Sequence, residues 1–237
     1  MVDVLYEDNH LLVVNKPAGL PTMGAVGRSC LIDVAKAYIG EKYNKPGNVF
    51  LGTVSRLDAP VTGVVLFART SKATARISKQ FRDRQVDKTY WALVQGEVSE
   101  EPVACIDWLR KDERHRRMHI CASDAEGALE ARLSFRALRR FDDVSLVEIK
   151  LETGRKHQIR VQLARRGHPV IGDRKYGGPP DFPAGIALHA RCLKVEHPTL
   201  KQQIETVAPL PNTWRQWISH DLETQLGSGL PNSQADE

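Results

Sequence analysis

Between residues 129 and 151 the chain alternates with a period of two. Ala131, Leu133, Phe135 and Ala137 fall on one side of an extended strand, Glu130, Arg132, Ser134 and Arg136 on the other. Val147, Ile149 and Leu151 repeat the pattern, with Glu148 and Lys150 between them. A strand written this way buries one face and wets the other, the habit of antiparallel sheets. The stretch from Val103 to Leu151 therefore predicts a run of antiparallel strands with one solvated face.

The flanking sequence adds helices to that sheet. Val2–Tyr6 and Leu11–Asn15 are apolar runs split by Glu7-Asp8-Asn9-His10 and read as a hairpin. Ser29 is placed to cap a helix over Leu31–Tyr38, with Leu31, Val34 or Ala35, and Tyr38 on one face. Ser71 is placed to cap another over Lys72–Arg84, whose Ala73, Ile77 and Phe81 recur every four residues. Val86–Val94 reads as a strand closed by Gly96, and Ile186–Val195 and Gln203–Val207 as the last strands. A short helix over Thr213–His220 would turn Trp214, Trp217 and Ile218 inward. The expectation is an α+β fold with a central, mixed but largely antiparallel sheet flanked by helices. Its 237 residues suit one large domain, or one with two lobes. We expect that domain to span residues 1–222, with residues 223–237, polar and rich in small side chains, as a disordered tail.

Charge points toward a polyanion, though modestly. Thirty-four basic against 29 acidic side chains leave a net charge of +5. The excess is uneven: Arg110-Lys111-Asp112-Glu113-Arg114-His115-Arg116-Arg117 is one basic block, and Arg155 to Arg166 holds another. A solvated face is the commoner reason for one such block; two favour a phosphate-rich partner. The four cysteines are widely separated, with no C-x-x-C pair, which argues against a zinc site and fits reduced thiols in a cytoplasm. The first eight residues have no basic n-region or cleavage-like segment, so they are not expected to be a signal peptide, and no apolar run reaches membrane-spanning length.

Chemistry concentrates in Val54-Ser55-Arg56-Leu57-Asp58-Ala59-Pro60-Val61-Thr62-Gly63, which runs into the apolar Val64–Ala68. Pro60 fixes φ and Gly63 permits unusual dihedrals, so a shaped loop feeds a buried strand. In an extended segment Arg56 and Asp58 leave on the same side. On this stretch alone, an Asp satisfied within a turn is the commoner explanation. Three other stretches bear on it: the turn Lys16-Pro17-Ala18-Gly19, the strand Lys88-Thr89-Tyr90-Trp91-Ala92-Leu93-Val94, and Thr153-Gly154-Arg155-Lys156-His157-Gln158-Ile159-Arg160 leading into a helix that stops at Gly167. By itself Tyr90 reads as a core aromatic on a strand.

Taken together and in order, these stretches resemble the RluA-type pseudouridine synthases. Arg56-Leu57-Asp58 stands in the central motif, with Ser55 where that family usually has His, Val61 where it has Thr, and Thr62 where it has Ser. Lys156 and Gln162 likewise replace a Thr and a His. Pro169-Val170-Ile171-Gly172-Asp173-Arg174-Lys175-Tyr176-Gly177 and Leu188-His189-Ala190 extend the likeness, which covers roughly residues 3 to 220.

The resemblance implies a catalytic domain without the small N-terminal RNA-binding domain of many relatives, monomeric, with an RNA-binding cleft. It implies that uridine in rRNA or tRNA is isomerised to pseudouridine, with no metal or cofactor. Asp58 would be the nucleophile or base, Tyr90 would hold the base, and Arg160 would keep Asp58 ionised. RNA contacts would come from Arg56, Lys16, Arg155, His157 and Gln158, with Arg56 filling the space left by a flipped uridine. Two rivals stay open on the sequence. One is an inactive RNA-binding or assembly factor, which the drifted Ser55, Val61 and Lys156 permit. The other is a hydrolase with Asp58 as its nucleophile, which on a glycoside would need a second placed carboxylate.

Overall fold

The computed structural model describes residues 2–24, 29–115 and 117–227. They divide into two compact units: Met1–Asp87 with Ala190–Pro209, and Lys88–His189 with the chain from Leu210.

The first unit holds β1 (Asp3–Glu7), β2 (Leu11–Lys16), β3 (Gly52–Thr53), β4 (Thr62–Ala68) and β11 (Gln203–Val207), with the part of β10 (Leu188–Glu196) from Ala190 onward. β1 pairs with β2, and β2 with β4, both antiparallel; β3 lies against the far end of β4, and β11 pairs with β10. Two helices, α1 (Leu31–Lys42) and α2 (Ser71–Arg82), cover opposite faces of these strands. Leu12, Val14, Val65 and Phe67 pack with Leu31, Ala35 and Ile39 of α1. Leu11, Val13, Val64 and Leu66 pack with Ile77 of α2 and with Leu193 and Val195. Burial on both faces explains why β2 and β4 are unbroken apolar runs rather than alternating ones.

The second unit is ordered β5-β9-β8-β6-β7, with every neighbour antiparallel. Its strands are β5 (Asp87–Gln95, which begins one residue earlier in the first unit), β6 (Val103–Asp112), β7 (Arg117–Cys121), β8 (Leu129–Phe141) and β9 (Val144–Leu151). Here the alternation of the sequence is realised: Ala131, Leu133, Phe135 and Ala137 are buried while Arg136 is exposed. Helix α3 (Gln158–Arg165) lies on the covered face, where its Val161 joins Leu109, Met118 and Ala131.

Three expectations need correction. The residue before α1 is Cys30, not Ser29; its thiol reaches Asp33 at 2.8 Å, and the helix continues through Gly40 to Lys42. Thr70 rather than Ser71 caps α2, accepting the Ala73 amide at 3.1 Å, so the helix starts one residue early. Near the C-terminus, the Thr213–His220 helix is instead a 3-10 turn at Asn212–Trp214 followed by α4 (His220–Gly227), which occupies the start of the expected tail. Glu223 explains that ordering. Buried, it accepts the Leu210 amide at 2.9 Å and pairs with Arg215 at 2.8 Å. Residues 228–237 of the expected tail lie outside the described residues.

Candidate active site

The loop carrying Asp58 runs from β3 to β4, and residues 54–58 lie outside any strand ladder. Alternation therefore does not set the directions of Arg56 and Asp58. Hydrogen bonds to the main chain do. Ser55 Oγ accepts the Leu66 amide of β4 at 3.0 Å. Leu57 is held at both ends by one hydroxyl: its N–H donates to Thr22 Oγ1, which donates to the Leu57 carbonyl, each at 3.0 Å. The Leu57 side chain meanwhile packs against the α1 cluster. Next along, the Ala59 carbonyl accepts from the Gly19 amide at 2.8 Å and from Lys16 Nζ at 3.0 Å. The Val61 amide closes a turn on the Asp58 carbonyl at 3.1 Å. Gly63 ends the loop with φ at 110°, and a Cβ there would stand 2.3 Å from the Ala190 carbonyl oxygen. Only glycine lets β4 approach β10 so closely. The backbone around Asp58 is thus fixed, while Asp58 itself is half-exposed and Arg56 exposed. A rigid frame with a reachable carboxylate is what a nucleophile or base requires.

Lys16 departs from expectation. Its side chain is 0% exposed, and its ammonium donates to the carbonyls of Pro17 (2.8 Å), Leu20 (2.7 Å) and Ala59 (3.0 Å). All three of its protons go to main-chain oxygens, and it ties the 16–20 turn to the Asp58 loop. Burial pushes its pKa down to about 8, against the opposing pull of the Asp58 charge.

The second unit carries the other expected residues. Tyr90 sits on β5 opposite Ile149 and is partly exposed, whereas Trp91 to Val94 beyond it are buried. Arg160, on α3, is 5% exposed, inward as expected along with Ile159 and Leu163. An inward arginine needs a carboxylate, and the structure supplies one that the sequence reading had not assigned. Asp173, 1% exposed, takes Arg160 Nε at 2.6 Å and Nη2 at 2.8 Å in a two-pronged pair. The Tyr176 ring lies under the same guanidinium, 5.2 Å from ring centre to Cζ.

Three residues assigned to RNA precede Arg160, and they differ among themselves. Gln158 is buried, its Oε1 accepting from Thr153 Oγ1 (2.8 Å) and the Arg155 amide (2.9 Å), and its Nε2 donating to the Arg132 carbonyl (3.1 Å). Expected on the RNA surface, it instead spends these bonds on the turn into α3. His157 is half-exposed in a left-handed conformation (φ 53°), with Nδ1 2.7 Å from the Tyr176 hydroxyl. Arg155 remains partly exposed, its Nε donating to the Glu130 carbonyl at 2.9 Å. Among the described residues, no three His, Cys, Asp or Glu side chains group to hold a metal ion. No helix among them is long and apolar enough to cross a membrane.

A model of the RNA pseudouridylate synthase family matches residues 10–165 of this sequence, the span from β2 to the end of α3. The chain belongs to that family. Such enzymes are isomerases, and the loop of Asp58 and the helix of Arg160 both fall within the matched span. Over 92% of its length the chain is 34% identical to the uncharacterised RNA pseudouridine synthase YlyB of Bacillus subtilis, of which it covers 72%. It is 32% identical over 95% of its length to the ribosomal large subunit pseudouridine synthase D of Pseudomonas aeruginosa, covering 74% of that protein. Among solved structures it resembles human RNA pseudouridylate synthase domain containing 1, with a TM-score of 0.72 and 28% identity over 99% of this chain and 97% of the other.

Sequence reasoning singled out Asp58, Arg56, Tyr90 and Arg160 as candidates but gave no role to Thr22, Asp173 or Tyr176. For the last two a signal was present in Gly172-Asp173-Arg174-Lys175-Tyr176-Gly177. Thr22 had none, because a hydroxyl in a turn announces no partner 35 residues away.

Proposed function

We propose that this chain converts specific uridines of a structured RNA, ribosomal or transfer, to pseudouridine, with Asp58 as the catalytic carboxylate. The supporting observation is the Asp58 loop, pinned through Ser55, Leu57, Ala59 and Val61 while Asp58 stays half-exposed. An aspartate carboxylate can serve as nucleophile or base without a metal or cofactor. Tyr90, partly exposed on β5 just before its buried stretch, is assigned to hold the base, and Arg160 is assigned a part in catalysis. Arg56, exposed two residues before Asp58, is assigned to the space left when uridine turns out of its stack. Arg155, His157 and the basic β6–β7 hairpin are assigned to phosphates. The P. aeruginosa relative, named for the ribosomal large subunit, supports ribosomal RNA as the first substrate to try.

The test is direct. Purified protein incubated with ribosomal and transfer RNA is expected to form pseudouridine at discrete positions, and Asp58→Asn to form none while keeping its fold and most RNA affinity. RNA bound but left unmodified by the wild type would favour the inactive binding factor. Product formed by Asp58→Asn would remove Asp58 from the chemistry.

A further inference from the structure

Three basic segments, far apart in sequence, meet at one hydroxyl in the second unit. The Tyr176 hydroxyl accepts the Met118 amide of β7 at 2.9 Å and sits 2.7 Å from His157 Nδ1, at the start of α3. Met118 lies in the hairpin that carries exposed Arg110, Arg114 and Arg117. His157 follows Arg155 and Lys156, and Tyr176 itself follows exposed Arg174 and Lys175. The ring of the same tyrosine packs against the cluster of Leu109, Met118, Ala131 and Val161, and carries the Arg160 guanidinium above it. One side chain thus joins the basic hairpin through its hydroxyl and Arg160 through its ring.

We propose that Tyr176 is a positioning residue with two separable roles: its hydroxyl sets the β6–β7 hairpin to receive RNA phosphates, and its ring, with Asp173, sets Arg160 for the reaction. The second role rests on the reading of Arg160 as catalytic; the first does not. Geometry favours the division. The hydroxyl is spent on the hairpin amide and on His157, whereas the guanidinium lies over the ring and is gripped by Asp173 along its Nε–Nη2 edge. A π-face holds a cation without needing the hydroxyl, and a hydroxyl fixes a backbone amide without needing the cation.

Two substitutions separate the roles. Tyr176→Phe keeps the ring and deletes the hydroxyl. Losing one such bond is expected to raise Kd for a target stem-loop about fivefold, with faster hydrogen exchange at the Met118 amide and the larger part of the saturated single-turnover rate retained. Tyr176→Leu deletes both, and is expected to match that Kd while losing about tenfold more saturated rate than Tyr176→Phe. A merely structural tyrosine would move affinity and rate together, so this split is the decisive readout. Unchanged Kd and unchanged Met118 exchange in Tyr176→Phe would overturn the hydroxyl's role. Equal saturated rates for Phe and Leu would overturn the ring's role. Should Tyr176→Leu fail to fold, Asp173→Glu takes its place, since it shifts the guanidinium while leaving the hydroxyl alone; it is then expected to lower saturated rate without raising Kd. Arg160→Lys distinguishes a failure of the underlying reading: a wild-type saturated rate there would show that Arg160 is not catalytic, while the hairpin result would stand by itself.

Discussion

The Asp58 loop and the Arg160 helix are held in place by different means. Around Asp58 the fixing bonds end on main-chain atoms: the Leu66 amide, the Leu57 amide and carbonyl, and the Ala59 carbonyl. Around Arg160 they end on side chains, the Asp173 carboxylate and the Tyr176 ring. Backbone groups are the same whatever residue supplies them, so in the first arrangement residue identity matters at only one end of each bond, at Ser55, Thr22 and Lys16. The second arrangement depends on residue identity, because a buried guanidinium without its carboxylate is an uncompensated charge.

Substitutions sharpen or break this contrast. The largest loss is expected at the side-chain-held site: Arg160→Met strands Asp173, destabilises by about 3–5 kcal/mol, and lowers the isomerisation rate. Urea unfolding and single-turnover kinetics measure both, and wild-type values for both would erase the contrast. Next comes Lys16→Met, which leaves three buried carbonyls without their donor and is expected to cost about 3 kcal/mol with RNA affinity unchanged. A large rise in Kd instead would return Lys16 to the RNA surface.

Lys16 also carries a pH signature. Its folded pKa of about 8 lies below the ordinary 10.5. Between those values the unfolded chain holds the proton that the folded chain has released, so unfolding free energy rises with pH across that window. The difference between wild-type and Lys16→Met stability is expected to climb from pH 8 to pH 10.5, and a flat difference would place the Lys16 pKa near its unfolded value.

Arg56→Ala is expected to leave stability alone, since Arg56 is exposed. It should slow single turnover more on a folded stem-loop than on an unstructured RNA of the same sequence, because unstacking costs a few kcal/mol only where the base is stacked. Equal losses on both would make Arg56 a phosphate contact. The smallest effect is expected at Ser55→Ala, about 1 kcal/mol in thermal unfolding with catalysis nearly intact. Lost activity there would mean that the serine inherits more than a structural duty.

Much of this molecule was legible as sequence. The alternation of residues 129–151 determined a sheet with one wet face, and the unbroken apolar run of β4 recorded burial on both faces. Asp58, Tyr90 and Arg160 stood out because their motifs keep their order. What the chain could not announce is where a polar side chain spends its hydrogen bonds. Lys16 and Gln158 look like RNA ligands in one dimension, since ammonium and amide groups ordinarily face water. Tertiary structure closes partners around them instead, three carbonyls around Lys16 and a carbonyl, an amide and a hydroxyl around Gln158, and a buried polar group left without a partner would be costly. The same reasoning separates Asp173 from its neighbours. As a sequence, Gly172-Asp173-Arg174 is a polar turn; in the fold, its carboxylate is 1% exposed and clasps an arginine 13 positions earlier. Local periodicity follows from which face of an element is wet and can be read residue by residue. The pairing of buried charges depends on which segments folding brings together, and that only the tertiary structure decides.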